Sequence, residues 1–361
     1  MYETILSPIN YGGLQLKNRI IFAPTTFGLS DEEYLARIRS IAEGGCAMII
    51  VGDVPVGKSK FEKSLFDSKG FAFYQKIVEI AHDADCKVCA QLHQSDSNLL
   101  AMFKYIPGLL LKKITPDQLR EKLNAEVAPY ITNMSQRKIH EIISGFGKAA
   151  ALAKQAGFDM VQVHGDRMCG SFSSAIFNHR ADEYGGSAEN RFRFVGECLT
   201  AIRQAVGADY PVLIKVNTNC AGDADEAYAQ DILYFCRQFQ ALGADAIELS
   251  GYNWIGLGKK KVPTFYLDRA AQIRKEVTIP LILVGGVRGP ESIQKILDAG
   301  IDFVSASRPF ICQPDFLKHL EAGEDSACIG CTKCLGNIWA KEGRRCVKHE
   351  IPPEFANKAD N

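Results

Sequence analysis

Residues 241–251 read ALGADAIELSG, and three other segments of the chain repeat this pattern. They are AEGGCAMIIVG (42–52), QAGFDMVQVHG (155–165) and DAGIDFVSASR (298–308). Each has the features of a helix end, a glycine that can take the left-handed conformation closing a helix, and then a short apolar run. Apolar runs without alternation are typical of strands buried on both faces of a parallel sheet. The repeated unit is therefore a helix followed by a buried parallel strand.

Further apolar runs bring the predicted number of strands to eight. They are RIIFAP (19–24), KVCAQLH (87–93), PVLIKVN (211–217) and PLILVGG (280–286). Amphipathic helical patterns lie between them, at roughly 31–43, 71–85, 136–156, 188–206, 224–242, 265–276, 290–299 and 314–322. Alternating strands and helices, eight of each, predict an α/β fold of the (β/α)8 TIM-barrel type. A doubly wound sheet is the alternative, but it would have fewer strands and a glycine fingerprint after the first one.

Two segments lie outside the repeating pattern. The stretch 94–135 is too long for an ordinary loop, so we predict an excursion or lid above the third strand. The chain then divides into a barrel over 1–322 and a cysteine-rich extension over 323–361, which should fold back on the barrel.

The composition excludes several classes of function. The 361 residues include 47% apolar residues, enough for a sizeable core, and basic and acidic residues balance at 42 each. This balance gives no sign of nucleic acid, a membrane surface or a polyanionic partner. The chain shows neither a membrane-spanning apolar run nor a signal-peptide pattern at its N-terminus. Together with twelve cysteines, these features predict a soluble protein of the reducing cytoplasm.

Four cysteines near the C-terminus have the spacing of metal ligands: Cys328, Cys331, Cys334 and Cys346. Two consecutive two-residue gaps place three thiolates on one turn, and eleven residues separate the third from the fourth. One cysteine for each iron is the ligand set of a [4Fe–4S] cluster. Structural zinc stays open as an alternative, although zinc sites usually contain two separated CxxC pairs. The cysteines therefore predict an electron-transferring cluster, in a protein suited to an anaerobic host.

Polar residues cluster at the predicted carboxyl ends of the strands, where TIM-barrel active sites lie. They are Thr25, Thr26, Gln91, His93, His164, Arg167, Lys215, Asn217, Tyr252, Gly285, Gly286, Ser307 and Arg308. The last two strands end in a glycine pair and a Ser–Arg pair, which offer backbone N–H groups and a guanidinium to a phosphate. Glycines that only close tight turns are the alternative. Both pairs together favour a phosphate-bearing cofactor.

The same strand ends carry a family resemblance. The sequence resembles the old yellow enzyme family of FMN-dependent oxidoreductases, and within it the iron–sulfur branch that includes 2,4-dienoyl-CoA reductase and trimethylamine dehydrogenase. The similarity includes SPINYGGLQLKNRIIFAPTT (7–26), FNHRADEYGGSAENRFRF (177–194), GGVRGP (285–290), SRPFICQPD (307–315) and the cysteine tail. The second motif is highly specific. We interpret four of its residues as braces of the loop after the fourth strand: Asp182, Tyr184, Asn190 and Arg191.

The resemblance implies FMN on the barrel axis. Thr26 matches the side chain near the flavin C4 carbonyl and N5, and Gln91 matches the glutamine on the pyrimidine edge. Lys215 matches the cation near N1, which suits the negative charge of reduced flavin. The remaining cofactor-binding positions are Ala23, Pro24 and Thr25 at the first strand and Gly285, Gly286, Ser307 and Arg308 at the phosphate. The alternative for Lys215 is an interior lysine paired with a carboxylate.

The substrate end departs from the family pattern. The family has HxxH or HxxN after the fourth strand and a tyrosine two residues later, whereas this segment reads HGDRMCGSF (164–172). His164 keeps the first donor, Arg167 replaces the second, and Cys169 stands at the tyrosine position. Because arginine grips carboxylates with two parallel bonds, we hypothesise that His164 and Arg167 bind an anionic or polarised carbonyl. The alternative is that Arg167 pairs with Asp166 or another acid.

These residues favour an FMN-dependent ene-reductase that transfers hydride from flavin N5 to an activated C=C bond of a small unsaturated substrate. An amine or N-methyl dehydrogenase and a non-catalytic electron-transfer subunit are the alternatives. The proton donor stays open between Cys169, Tyr252, Tyr266 and water. No GxGxxG follows the cysteines. We therefore expect a separate flavoprotein or ferredoxin as electron donor, unless NAD(P)H reduces the FMN directly. Homo-oligomerisation stays open.

Overall fold

Parallel strands close into a barrel in the computed structural model, which describes residues 5–11, 14–60, 62–96, 104–105, 107–108, 111, 113–114, 116–220, 225–336 and 345–348. In chain order the strands are β1 (Ile9–Tyr11), β2 (Leu14–Leu16), β3 (Ile20–Phe22), β4 (Met48–Pro55), β5 (Lys87–His93), β6 (Met160–His164), β7 (Val212–Asn217), β8 (Ala246–Ser250), β9 (Leu281–Val284) and β10 (Phe303–Ala306). Strands β3 to β10 follow one another around the barrel, and β10 pairs with β3. The predicted (β/α)8 fold is therefore confirmed.

Helices lie at all eight of the segments for which the sequence predicts them. Their bounds are Asp31–Glu43, Ser68–His82, Gln136–Gln155, Ala188–Val206, Asp225–Ala241, Leu267–Arg274, Pro290–Asp298 and Phe316–Glu321. Further helices occupy Pro116–Ala125, Val127–Thr132, Met168–Ser173, Trp254–Lys259, Arg308–Cys312 and Lys333–Gly336. The first two of these helices belong to the predicted excursion after β5, and much of the rest of that excursion lies outside the described residues.

Local signals explain where the long helices begin and end. The Ser30 hydroxyl accepts a hydrogen bond from the Glu33 N–H, and the Glu33 carboxylate accepts one from the Ser30 N–H. This reciprocal pair satisfies two of the N–H groups that a helix start leaves unpaired. In the four repeated segments, the glycine before each strand has a positive φ, as the pattern predicts: Gly45, Gly157, Gly243 and Gly300.

The antiparallel hairpin of β1 and β2 packs against one end of the barrel interior. Leu14 and Leu16 are buried in a cluster with residues from the first halves of the barrel strands, among them Ile21, Leu213 and Phe303. The sequence did not predict this hairpin, because strands of three residues are too short to show an alternating pattern. The hairpin leaves the opposite end of the barrel, where the strands have their carboxyl ends, available for a site.

The motif after β6 braces the excursion. The Arg180 guanidinium donates to the backbone carbonyls of Ile131 at 2.9 Å and Met134 at 2.7 Å, and it also binds Asp182. The Tyr184 hydroxyl donates to Glu197 at 2.9 Å, and the Asn190 amide donates to the Gly185 carbonyl at 3.0 Å. Arg191 is bonded to Asp231. The structural role predicted for Asp182, Tyr184, Asn190 and Arg191 is confirmed.

The beginning of the cysteine-rich extension lies against the barrel. The Arg288 carbonyl accepts a hydrogen bond from the Ser326 N–H at 2.7 Å, and the Arg288 guanidinium donates to the Cys328 carbonyl at 2.9 Å. The Gln313 side chain accepts from the Ala327 N–H at 2.6 Å. These bonds hold the first cysteine beside the ends of β9 and β10. In the described part of the chain, none of the helices has the length and apolar character needed to cross a membrane.

Candidate active site

A cavity of about 550 Å³ opens at the carboxyl ends of the barrel strands. This volume is typical of sites that enclose a small molecule or cofactor. The predicted site residues that line it are Ala23, Pro24, Thr25, Thr26, Gln91, His164, Arg167, Tyr252, Lys215, Gly285, Gly286, Ser307 and Arg308. Of the residues predicted for the flavin, the substrate or the acid, Cys169 is the one that does not line it.

A chain of buried polar side chains lies below the cavity, and Gln91 and Lys215 from this chain line it. The Gln91 amide donates to Gln162 at 2.7 Å, and the Gln162 amide donates to Glu248 at 2.9 Å. The Lys215 ammonium lies 3.8 Å from the same Glu248 oxygen. Lys215 is therefore paired with an interior carboxylate, as the sequence alternative proposed, and it also lines the cavity. An ammonium has three donors, so the pairing leaves it able to contact a ligand.

The residues predicted to bind a phosphate come together at the ends of β9 and β10. Gly285 and Gly286 have φ angles of 117° and 74°, and a Cβ at Gly286 would lie 2.4 Å from the Thr264 nitrogen. Only glycine fits such a position without strain. Within the described residues, the buried Arg308 Nη1 has no hydrogen-bond partner. An unpaired guanidinium donor beside a glycine turn fits a phosphate group.

His164 presents a proton donor to the cavity. The Asp166 backbone N–H donates to His164 Nδ1 at 3.2 Å, so a neutral ring carries its proton on Nε2. Burial lowers the pKa of His164 well below its usual value, although the Asp53 carboxylate opposes this shift. The ring is therefore neutral at physiological pH, as a donor to a carbonyl oxygen should be.

Arg167 and Asp166 follow His164 directly, yet they do not pair with each other. No hydrogen bond or ion pair of the Arg167 side chain occurs among the described residues, and this exposed side chain lines the cavity. Asp166 Oδ1 is buried and likewise lacks a partner in the described part of the chain. Burial raises the pKa of Asp166 to about 6, with the charge of Lys215 acting in the opposite direction. The alternative in which Asp166 neutralises Arg167 is not what the structure shows.

Asp53 and Asp166 are cavity residues that the sequence interpretation missed. Asp53 belongs to β4 and accepts a hydrogen bond of 2.5 Å from the Thr26 hydroxyl. The lone acidic residue in the GDVP segment of a buried strand was the available signal. Asp166 had a comparable signal, since it lies between two predicted substrate donors in HGDR.

The candidates for the proton donor differ in position. Cys169 is buried in the core next to Cys198 and does not reach the cavity. A helix begins at Met168, so residues 167 and 171 share the face toward the cavity whereas Cys169 lies on another face. Cys169 is thus misplaced as an acid.

Of the two tyrosines, the Tyr266 hydroxyl donates to the backbone carbonyls of Gly251 and Tyr252 and holds that loop. Tyr252 lines the cavity, and burial raises the pKa of its hydroxyl to about 12.

The four predicted ligand cysteines line a second, smaller cavity, together with Arg308. The described residues contain no group of three or more His, Cys, Asp or Glu side chains already arranged around a common metal position. Four thiols on one cavity nevertheless fit the donor set of an iron–sulfur cluster. Arg308 and Cys328 line both this cavity and the large one, so the two sites are adjacent.

Comparisons with known proteins agree with this arrangement. The chain is 42% identical to a bilirubin reductase of Clostridium symbiosum, over 96% of this chain and 98% of that protein. It is 29% identical to a bilirubin reductase of Mediterraneibacter gnavus, over 95% of this chain but 56% of that protein. The structure of a 2-naphthoyl-CoA reductase complex superposes over 100% of this chain and 58% of that chain, with a TM-score of 0.78 and 20% identity. At that identity, the superposition supports the fold alone.

A family model provides the assignment. The model described as NADH:flavin oxidoreductase / NADH oxidase family matches residues 4–326, which include the whole barrel and all lining residues of the large cavity except Cys328 and Gly330. The predicted resemblance to the flavin-dependent oxidoreductases of the old yellow enzyme type is confirmed. This chain belongs to the NADH:flavin oxidoreductase / NADH oxidase family.

Proposed function

We propose that the chain is an FMN-dependent ene-reductase acting on C=C bonds conjugated to a carbonyl or carboxylate group. The observation that carries this proposal is that two donors line one cavity. They are His164 Nε2–H and the Arg167 guanidinium, which has no partner among the described residues. Donors of this kind attract an oxygen that carries negative charge. A substrate activated by a carbonyl oxygen fits them better than an amine does.

The parts of the cavity away from His164 and Arg167 suit FMN. Arg308, Ser307 and the Gly285–Gly286 turn would hold the phosphate, while Gln91 and Lys215 would contact the flavin ring. Ala23, Pro24, Thr25 and Thr26 would line its side at the end of β3. FMN would supply the hydride for the β-carbon of the substrate.

The residues of this chain would then complete the reduction. His164 and Arg167 would hold the activating oxygen and stabilise the negative charge that develops on it. A proton must reach the α-carbon, so that hydride and proton together add two electrons and two protons across the double bond. Among the titratable groups that line the cavity, Asp166 and Tyr252 are the acids to test in place of Cys169.

The cysteine cavity supports the second part of the proposal. Cys328, Cys331, Cys334 and Cys346 would hold a [4Fe–4S] cluster beside the flavin phosphate, near Arg308. Electrons would then come from a ferredoxin or a flavoprotein, or from NAD(P)H that reduces the FMN. Residues 1–322 would form the flavin-binding barrel and 323–361 the cluster-binding extension of a cytoplasmic enzyme.

The similarity to bilirubin reductases suggests the first substrate to test. Bilirubin is a conjugated lactam with two carboxylates, so it has both the C=C–C=O unit and the anionic groups that His164 and Arg167 could bind. The experiment mixes anaerobically purified, dithionite-reduced protein with bilirubin, with enones and with enoates, and follows the reoxidation of flavin and the loss of substrate absorbance. We expect rapid reoxidation by at least one of these compounds without any partner protein.

An Arg167 variant tests the role of the donors. We expect Arg167→Ala to lower kcat/KM for anionic substrates by 10- to 100-fold, because one charge-assisted bond contributes about 1.5–3 kcal/mol. Arg167→Lys should recover only part of this, since lysine cannot form two parallel bonds. Unchanged kcat/KM in Arg167→Ala would contradict the assignment. Reduction of the flavin by amines, with no reoxidation by any unsaturated compound, would favour the amine dehydrogenase instead.

A further inference from the structure

Asp53 adopts a backbone conformation that few residues other than glycine tolerate. Its φ is 56°, in the left-handed region that aspartate and asparagine enter more readily than most residues. The pairing of β4 with β5 shifts register between Val51 and Val54, so that Asp53 lies in a bulge. Bulges redirect a side chain, and the Asp53 side chain lines the large cavity. Unusual backbone geometry of this kind is concentrated at functional sites.

The Asp53 carboxylate contacts two residues of the site. One oxygen accepts the Thr26 hydroxyl proton at 2.5 Å. The other oxygen lies 4.0 Å from His164 Nε2, the nitrogen that carries the proton of the neutral ring. Burial acts to raise the pKa of Asp53, but the two histidines that face it, the Thr26 hydrogen bond and the charge of Arg167 hold it below its usual value. Asp53 is therefore a carboxylate at neutral pH.

The bond to Asp53 decides what Thr26 can offer to a ligand. A hydroxyl has a single proton, and the Thr26 proton is already donated to Asp53. Toward the cavity the Thr26 oxygen therefore presents lone pairs and cannot donate. A flavin edge that gains negative charge on reduction would find an acceptor here instead of a donor.

We propose that Asp53 is a positioning residue that lowers the reduction potential of the bound flavin by holding the Thr26 hydroxyl proton. The proposal rests on FMN binding as set out under the proposed function. Hydrogen bonds and charges near the flavin ring tune its electronics. Withdrawing a donor and placing a carboxylate nearby both disfavour the reduced, anionic flavin. The bound flavin is then a stronger hydride donor toward an unsaturated substrate.

The experiment compares flavin midpoint potentials in four proteins: the unsubstituted chain, Asp53→Asn, Thr26→Val and the double variant. Asparagine has the shape of aspartate and also tolerates a positive φ, so the fold should be kept. We expect Asp53→Asn to shift the equilibrium toward reduced flavin about tenfold, which is about 30 mV for a two-electron couple. In the Thr26→Val background the same substitution should shift it by a smaller factor, because the hydroxyl is gone.

A matched control uses another carboxylate near the site. Glu62 lies 3.3 Å from His93, is exposed and does not line the cavity. Glu62→Gln should leave the midpoint potential nearly unchanged, because an exposed charge is screened by solvent. The equilibrium between oxidised and reduced flavin should change by less than about twofold.

The outcomes separate the two proposals. Equal shifts in both backgrounds would show that Asp53 acts through its charge alone and would overturn the role of Thr26. An unchanged potential in Asp53→Asn, with FMN bound, would overturn this inference and leave the proposed function standing. A protein whose absorption spectrum shows no bound flavin would overturn both.

Discussion

Two side chains of opposite charge, Arg167 and Asp166, lie in the large cavity without forming a pair. Arg167 and Asp166 are neighbours in sequence, and each lacks a partner for its charged group in the described part of the chain. A buried carboxyl oxygen without a donor costs free energy. Such an arrangement is expected where a ligand or a transferred proton makes use of it. The unpaired Asp166 carboxyl should therefore lower the free energy of unfolding, and this effect can be measured.

The pH dependence of stability should show the cost of Asp166. Its pKa is raised from 3.8 to about 6 by burial, so the folded state favours the protonated carboxyl. The stability associated with this proton is complete below pH 4 and is lost as the pH rises through 6. Asparagine mimics the protonated form. At pH 7.5, Asp166→Asn should therefore raise the free energy of unfolding, measured by urea titration, by about 2–3 kcal/mol. This difference from the unsubstituted protein should nearly disappear at pH 4.

The control for this prediction is Asp298→Asn, which changes an exposed aspartate near the end of the helix Pro290–Asp298. Its effect on the free energy of unfolding should be small and independent of pH. If Asp166→Asn behaves in the same way, Asp166 titrates like a surface carboxyl and its burial costs no stability.

The braced loop after β6 supports the site from outside. Arg180 is almost fully buried and donates to three carbonyls at the end of the excursion, those of Ile131, Thr132 and Met134. Its other nitrogens bind Asp182. The same guanidinium thus joins the loop that follows His164 to the helix Val127–Thr132, whose first residue lines the large cavity.

Removing the Arg180 guanidinium should destabilise the protein strongly. Arg180→Met leaves buried carbonyls and the Asp182 carboxylate without their donor, and loss of one partner of such a network costs about 3–5 kcal/mol. Urea unfolding gives the free energy directly. Arg193→Met is the matched control, because Arg193 is exposed and makes a single bond of 2.8 Å to the Glu183 carbonyl. It should cost less than about 1 kcal/mol. Equal losses in the two variants would contradict the bracing role.

The sequence predicted correctly the features that depend on local interactions, and it missed those that depend on contacts between residues distant in sequence. The helix Asp31–Glu43 agrees with the predicted span of roughly 31–43, because a 3.6-residue period is a local signal. The β1–β2 hairpin was missed because its register depends on packing against the barrel end. Asp53 was missed because the bulge that redirects it arises from pairing with β5. Cys169 was placed wrongly because motif spacing does not reveal the face of a helical turn.

The two cavities share a wall in the assembled barrel. Arg308 begins the short helix after β10 and lines both cavities, and Cys328 does the same from the extension. The Arg288 bond to the Cys328 carbonyl fixes this contact. The cysteine segment therefore touches the large cavity at one edge, while the other lining residues of this cavity come from the barrel strands and their loops. This geometry predicts that cluster and flavin can be removed separately.

A cysteine variant tests that independence. Cys331→Ser removes one of four thiolates, so we expect bound iron to fall from about four to below one per chain. FMN content should remain near that of the unsubstituted protein, because Cys331 does not line the large cavity. The chemically reduced variant should still reduce the substrate, whereas reduction of its flavin by an external one-electron carrier should be lost. Cys220→Ser, which changes a partly exposed cysteine after β7, is the control and should keep its iron. Iron retained equally in both variants would show that the C-terminal cysteines bind no cluster, and flavin lost together with iron would show that the two sites fold as one.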